Sequence, residues 1–375
     1  MFSYNLKKYT TPFLLVTLVL FLVSAIFLVL FISFPTLADT VNRTFAQGVR
    51  LVLAKITSIL PFSFAELLLC LSPLIVGFLI FSFVRFAKTR AKARRFFLNI
   101  LAFVLLIASL YVFTLGVGYH TTRLDEKMGL VRENLKKEEL LSMAEYLHEK
   151  IVEDLDEVTF SQDGASVMPY TLKELSDLLC REYDRFVEQY PDLISYNYHS
   201  RVKGARFSRA MSYAQILGIY TFFSGEANLN VDYPDAELPT TALHELAHQR
   251  GFSREEEASF IAHLVGRNST DAYVRYSTNL DLFRYVVNAL WRADHELYYT
   301  FFEQVDPRIV GEIRALSNYS KQFQNNPVGN VSTALNDAYL KANGTEGEVS
   351  YGFIVDLSVA FYKETMSEIF ENSTP

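Results

Sequence analysis

Residues 244–248 read His-Glu-Leu-Ala-His, a spacing that can bring two imidazoles and a carboxylate to one metal ion. On a helix, positions i and i+4 lie on the same face, so His244 and His248 can share that ion. Glu245 lies beside them and can take a proton from a water molecule on the metal. Zinc binds imidazole nitrogen readily and keeps one position open for such a water, which ionises near neutral pH. The motif therefore predicts hydrolytic zinc chemistry.

A catalytic zinc ion needs a third protein ligand, and the residues after Gly251 supply acidic candidates. Gly251 suits the end of the motif helix, and Ser253 with Glu256 has the spacing of a capping box that would begin a second helix. Glu255, Glu256 and Glu257 would then occupy its first turn, where the helix dipole alone favours acidic side chains. Only one of them needs to face the metal. The sequence does not determine how the second helix is rotated after so tight a turn, so both Glu255 and Glu257 are candidates for the third ligand.

His-Glu-Leu-Ala-His followed by a helix that bears Glu-x-x-Ala resembles the gluzincin branch of the zincin metallopeptidases. In that branch the third ligand is a glutamate three residues before a small residue, and an Asp or Asn after the small residue supports the site. The resemblance implies Glu255 as the ligand, Ala258 as the small residue and Ser259 at the supporting position, where serine departs from the pattern. The short link before Glu255 is similar to metzincins, but Arg254 stands where their third ligand would be.

The resemblance extends over most of the chain. The segments Gly225-Glu-Ala-Asn-Leu-Asn230, Arg275-Tyr-Ser277 and Val349-Ser-Tyr-Gly352 are similar to a family of bacterial membrane-anchored zincin-like proteins. Its members combine three N-terminal membrane helices with one such domain. This implies the fold and the metal site, but it implies no substrate.

Three uncharged apolar runs, residues 13–34, 67–84 and 96–118, are each long enough to cross a bilayer core of about 30 Å. The sequence therefore predicts a membrane domain over residues 1–118 and a second domain over 119–375. A cleaved signal peptide, with residues 36–38 as the cleavage site, is the alternative for the first run, but its apolar stretch is long for that role.

Loop charge predicts the orientation. Residues 85–95 contain six basic residues and no acidic one, and short loops this basic stay in the cytoplasm. Lys7 and Lys8 place the N-terminus on the same side. Three spans then put the second domain outside the cytoplasm. Residues 41–60, between the first two runs, have apolar side chains at mixed helical spacing and can lie along the outer surface.

The two predicted domains differ in charge. Residues 1–118 contain 11 basic and two acidic side chains, a net charge of +9, so the remainder carries −16 of the total of −7. An acidic outer domain argues against nucleic acid as a partner. The expected partners are the lipid bilayer and a peptide or protein substrate. Cys70 and Cys180 fall in different domains, so no disulfide within a domain is expected.

The second domain reads as mostly helical with a small sheet, an α+β fold. Helices are expected over residues 124–155 and 278–304, and strands over 216–223 and 227–231. Zincin-like domains place an edge strand beside the motif helix, where it can bind an extended substrate by strand addition. The segment that ends at Asn230 is the candidate for that strand.

Hydrolysis at a carbonyl also needs a donor for the oxyanion. Tyr276 and Tyr351 are the candidates, with His295 behind them, although packing is the alternative role for each tyrosine. His263 lies two turns beyond Glu255 and is expected to pack rather than to bind metal.

The sequence thus predicts a membrane-anchored zinc hydrolase, a metallopeptidase, with Zn²⁺ held by His244, His248 and Glu255 and with Glu245 as the base. One alternative is a non-catalytic membrane receptor or assembly factor that retains a zinc site. A structural site would have a fourth protein ligand, and none is evident after Glu255. Another alternative is a transporter, but the spans carry no charges.

Overall fold

The computed structural model of the chain describes residues 11–373, so Lys7 and Lys8 lie outside the described residues. The chain folds into two compact units. Within the described residues, the first contains 11–121 together with Thr221–Glu226, and the second contains Thr122–Tyr220 and 227–373.

The first unit contains three helices that are long and apolar enough to cross a membrane. They have 22, 23 and 25 residues, which corresponds to about 33–38 Å at 1.5 Å per residue. Thr11 caps the first helix, because its Oγ1 accepts a hydrogen bond from the backbone N–H of Leu14 at 3.1 Å. The third helix ends at Thr114, four residues before the predicted boundary, and Gly116–His120 forms a 3₁₀ turn instead. The helices of this unit are α1 (Pro12–Ser33), α2 (Pro35–Val41), a π-helix (Asn42–Ala46), α3 (Gln47–Ser58), α4 (Phe64–Phe86) and α5 (Arg90–Thr114).

The turn Thr221–Glu226 is held in the first unit by the start of α4. The Glu226 carboxylate accepts hydrogen bonds from the backbone N–H groups of Phe64 at 2.9 Å and Ala65 at 3.1 Å. These amides have no partner within their own helix, and a negative charge at a helix N-terminus is stabilising. Glu226 belongs to the segment 225–230 that was singled out in the sequence. Its carboxylate therefore caps the N-terminus of α4.

The second unit is mostly helical, as predicted, around one apolar core. The stripe Met143, Leu147 and Ile151 is fully buried. The long helix predicted over 124–155 is wrong in its first part, because Gly129 adopts a left-handed conformation (φ 68°) that ends a short helix. The helix predicted over 278–304 is also two helices, and the Asp294 side chain caps the second by accepting from the N–H of Leu297 at 3.0 Å. The helices of this unit are α6 (Leu124–Met128), α7 (Lys137–Asp154), α8 (Leu172–Gln189), α9 (Ser208–Tyr213), α10 (Leu238–Arg250), α11 (Glu255–Gly266), α12 (Ala272–Ala293), α13 (His295–Phe302), α14 (Pro307–Lys321), α15 (Pro327–Ala342) and α16 (Ile354–Thr365), with 3₁₀ segments at Gly347–Phe353 and Ser367–Ser373.

A three-stranded sheet contains β1 (Lys203–Gly204), β2 (Gly218–Thr221) and β3 (Glu226–Leu229) in the order β1-β3-β2. β1 pairs in parallel with β3, with Lys203 opposite Asn228. The segment that ends at Asn230 is thus the central strand, and its prediction as the edge strand is wrong. The two-residue β1 is too short to be recognised from sequence. The edge strand on the other side is β2.

Candidate metal centre

The motif helix α10 ends at a glycine that lets the next helix fold back against it. Gly251 adopts φ 106°, and the backbone N–H of Phe252 donates to the carbonyl of Ala247 at 3.2 Å, as at a left-handed helix cap. Only four residues separate α10 from α11, and the two helices pack against each other. This tight turn brings the first turn of α11 to the face of α10 that carries His244 and His248.

His244, His248 and Glu255 converge at one point. Oε2 of Glu255 lies 3.1 Å from Nε2 of His244 and 3.3 Å from Nε2 of His248. The two imidazole rings are 4.5 Å apart and almost perpendicular, at 87°. Ligands at about 2.0–2.1 Å from a tetrahedral zinc ion stand roughly 3.3 Å from each other. The donor set and its spacing therefore fit a single zinc ion.

The other ring nitrogens of both histidines are also engaged. Nδ1 of His244 lies 3.0 Å from Oγ of Ser259, and Nδ1 of His248 lies 2.7 Å from the carbonyl oxygen of Phe252. A donor hydrogen on Nδ1 leaves the lone pair of Nε2 directed at the metal position, and such outer contacts fix ring orientation in metal sites. Ser259, the residue predicted to support the site, thus contacts His244.

Glu256 and Glu257 face away from the histidines. Oε1 of Glu257 accepts hydrogen bonds from the backbone N–H of Leu124 and from Arg254, both at 2.9 Å. Glu256 pairs instead with Arg123 at 3.4 Å. The predicted capping box is wrong, because Arg254 is the N-cap residue of α11 and no side-chain cap is formed. The helix therefore begins one residue later than predicted.

Glu245 is buried beside the two histidines, with 4% of its surface exposed. Its Oε2 atom has no hydrogen-bond partner within residues 11–373. Strand β2 passes so close that a Cβ atom on Gly218 would lie 2.5 Å from Oε1 of Glu245. Burial raises the pKa of Glu245 to about 8, although the charge of His248 and the backbone amide of Tyr220 counteract it.

Gly218 was not among the predicted residues of the site. The signal was present, since a glycine inside a strand often marks a close approach of another group to the backbone.

The remaining charges of the site are strongly coupled. Burial acts to lower the pKa of His248, but the Glu255 carboxylate outweighs it and raises that pKa to about 9. For Glu255, burial acts upward, and the charge of His248 with hydrogen bonds from both histidines lowers its pKa well below the usual range. Burial, followed by the charge of His248, lowers the pKa of His244. A metal cation at this point would take the place of the proton shared by His248 and Glu255.

Two tyrosines lie near the carboxylates of the site. Burial raises the pKa of Tyr351, and the charges of Glu255 and Glu245 raise it further, so its hydroxyl stays protonated at neutral pH. Burial likewise raises the pKa of Tyr285, which also senses the charge of Glu255. Sequence reasoning missed Tyr285, because nothing in the helical pattern of α12 distinguishes it from a packing residue.

The other polar candidates are engaged elsewhere. The hydroxyl of Tyr276 donates to Oε2 of Glu312 at 2.9 Å. His295 stacks on Trp291, with ring centroids 4.6 Å apart. His263 is buried, its Nε2 lies 2.9 Å from the hydroxyl of Tyr362, and it therefore packs as expected. Of the two predicted tyrosines, Tyr351 is the one whose pKa is raised, after burial, by the charges of Glu255 and Glu245.

Comparison with known proteins identifies the family. A family model described as "Protein of unknown function (DUF3810)" matches residues 42–359. The match covers most of the chain, and the chain therefore belongs to this family. No curated protein and no solved structure matches it.

Proposed function

We propose that this member of the DUF3810 family is a membrane-anchored, zinc-dependent hydrolase that cleaves peptide bonds. The environment of Glu245 carries the proposal. Its carboxylate is buried beside three donors spaced for one zinc ion, and Oε2 has no hydrogen-bond partner among the described residues. An unsatisfied buried polar group costs about 1–3 kcal/mol. A reaction in which this oxygen receives a proton accounts for such an arrangement.

Each residue of the site has a role in this proposal. Zinc held by His244, His248 and Glu255 would supply Lewis acidity and lower the pKa of a water molecule toward neutrality. Glu245 takes the proton of the attacking water and delivers it to the leaving amine. The hydroxyl of Tyr351 donates a hydrogen bond to the oxyanion that develops on the substrate carbonyl. The gluzincin-type fold and the zincin-like class of the domain are parts of the same proposal.

The edge strand supports an extended peptide as the substrate. β2 has a strand neighbour on one side, and its backbone at Gly218 lies against Glu245. A peptide that adds along the side of β2 away from β3 would be held by backbone hydrogen bonds next to the catalytic carboxylate. Strand addition recognises the backbone of a peptide through hydrogen bonds, so this mode of binding suits a peptidase.

We place the metal centre on the extracytoplasmic side of the cell membrane, on a three-helix anchor. The support is the basic segment 85–95 between α4 and α5, since short basic loops stay in the cytoplasm. The N-terminus is then cytoplasmic as well. The substrate is therefore an external or envelope peptide or protein.

The test uses the full chain in lipid nanodiscs, with metal analysis and mass spectrometry of a mixed peptide library. The wild type should bind about one zinc ion per chain and cleave peptides. His248→Ala should lose both properties. Glu245→Gln should retain zinc and lose roughly 10²- to 10⁴-fold in rate, because it removes the base but no metal ligand. Glu296→Gln, the same change at an exposed glutamate, is the matched control and should alter neither.

Three results would contradict the proposal. A zinc-replete preparation without metal would remove its basis, and loss of metal from Glu245→Gln would make the division of roles wrong. Zinc without cleavage of any peptide would favour a receptor or assembly factor that keeps a zinc site.

A further inference from the structure

A cavity of about 550 Å³ lies in the second unit, between the second half of α12, the segment Gly347–Phe353 and the start of α16. Its walls are largely apolar and include Leu140, Ala289, Val349 and Val355. Pockets of roughly 300–1,000 Å³ with apolar walls are typical binding sites for small ligands or parts of larger ones. The cavity is therefore large enough to receive a bulky side chain and the backbone next to it.

The charge of Glu255 acts on two tyrosines, one in the cavity wall and one in the segment that forms part of that wall. Burial raises the pKa of Tyr285, which lines the cavity, and the charge of Glu255 raises it further. The cavity residues Val349 and Gly352 flank Tyr351, whose hydroxyl senses the same carboxylate. The elements agree with this, since both α12 and the segment Gly347–Phe353 pack against α11.

The hydroxyl of Tyr285 has no hydrogen-bond partner within residues 11–373. A polar group in this position at the border of an apolar cavity is available to a ligand that spans the cavity and the metal centre. The charged side chains that line the cavity have both signs, Arg292 against Glu348 and Asp356, so they do not select a charged ligand.

We propose that this cavity is the specificity pocket of the enzyme and binds a large apolar or aromatic side chain of the peptide substrate beside the scissile bond. The inference rests on the proposed peptidase function, which the metal site supports independently. Tyr285 would hydrogen-bond to the peptide backbone at the mouth of the pocket, while the apolar walls bury the side chain.

Binding of a model peptide to the full chain in lipid nanodiscs tests the pocket without turnover, in the Glu245→Gln background. The probes are an acetylated and amidated pentapeptide with one central phenylalanine among glycines, and its all-glycine counterpart. The fluorescence of Trp291, the only tryptophan of the chain, reports binding close to the pocket. The phenylalanine peptide should bind about 10- to 100-fold more tightly, as burial of one large apolar side chain implies.

Two variants fill the cavity and one serves as a control. Ala289→Phe adds a ring to the wall, and Gly352→Leu adds a side chain where a Cβ atom meets nothing within 4 Å. Either should remove most of the preference for phenylalanine. Ala293→Phe is the same change as Ala289→Phe, one turn later at an exposed position outside the pocket lining, and should keep the preference.

Equal binding of the two peptides would overturn the assignment of the cavity as a specificity pocket. An unchanged preference for phenylalanine in both Ala289→Phe and Gly352→Leu would also overturn it. If the preference behaves as expected while wild-type protein with zinc cleaves no peptide, the pocket stands as a binding site and the peptidase proposal fails. If peptides are cleaved with no preference for large apolar residues, the peptidase stands and the pocket fails.

Discussion

Gly218→Ala tests whether the approach of β2 to the motif helix holds the Glu245 carboxylate, the proposed base, in place. A Cβ atom at this position would lie 2.5 Å from Oε1 and 2.8 Å from Cγ of Glu245, and 2.8 Å from Cγ2 of Thr241. Ordinary van der Waals contact begins near 3.4 Å. The Glu245 carboxylate or β2 must therefore move by about 0.9 Å, and misplacement of a reacting group by about 1 Å can cost roughly 10²-fold in rate.

The assay compares zinc content and peptide cleavage of Gly218→Ala with the wild type. We expect zinc binding to be retained, because the three atoms nearest to the added methyl group belong to Glu245 and Thr241, which are not metal ligands, and cleavage to fall about 10²-fold. Gly311→Ala is the matched control in the same unit, since a Cβ atom there meets its nearest neighbour at an ordinary 3.6 Å. An unchanged rate in Gly218→Ala, or loss of zinc along with activity, would refute the reasoning.

Four further predictions concern the metal ligands, the pH dependence of stability and the orientation in the membrane. Glu255→Ala should lose most of its zinc and Glu257→Ala should keep it, as measured by metal analysis; the reverse result would transfer the ligand role to Glu257. Ser259→Ala should weaken zinc affinity about 10- to 100-fold in a chelator competition, because His244 loses its outer contact; an unchanged affinity would show that this contact is dispensable. Burial lowers the pKa of His263 to about 3, against about 6.5 in the unfolded chain, so stability is lost as pH falls below about 6.5, by up to about 1.4 kcal/mol per pH unit. His263→Gln should flatten this dependence in thermal denaturation, and an identical slope would contradict it. A reporter fused after Pro375 should be extracytoplasmic, and a cytoplasmic signal would overturn the orientation.

The sequence was sufficient to predict features that depend on local spacing. His244 and His248 share a helix face because they are four residues apart, and Gly251 ends that helix because it tolerates a left-handed conformation. The three apolar helices follow from length and composition. Each of these predictions needs only the neighbouring residues of the chain, and the structure contains all of them.

Features that depend on distant residues were beyond the sequence. β1 makes β3 a central strand, and its two residues carry no readable pattern. Glu226 is explained by the amides of Phe64 and Ala65, 162 and 161 residues away. The hydroxyl of Tyr276 donates to Glu312, 36 residues away, a contact that no local spacing indicates.

The three consecutive glutamates show why the third donor could be narrowed but not fixed. Successive helical residues point about 100° apart, so only one of Glu255, Glu256 and Glu257 can face α10. Their partners decide which one. Glu257 accepts from Leu124 and Arg254, and Glu256 pairs with Arg123, so both carboxylates are neutralised on other faces. Glu255 alone of the three is directed at the histidines, where no basic side chain of lysine or arginine pairs with it among the described contacts. The fold turns one carboxylate toward two imidazoles while its neighbours pair with nearby arginines, so Glu255 is the glutamate of the three that can join His244 and His248 around a metal ion.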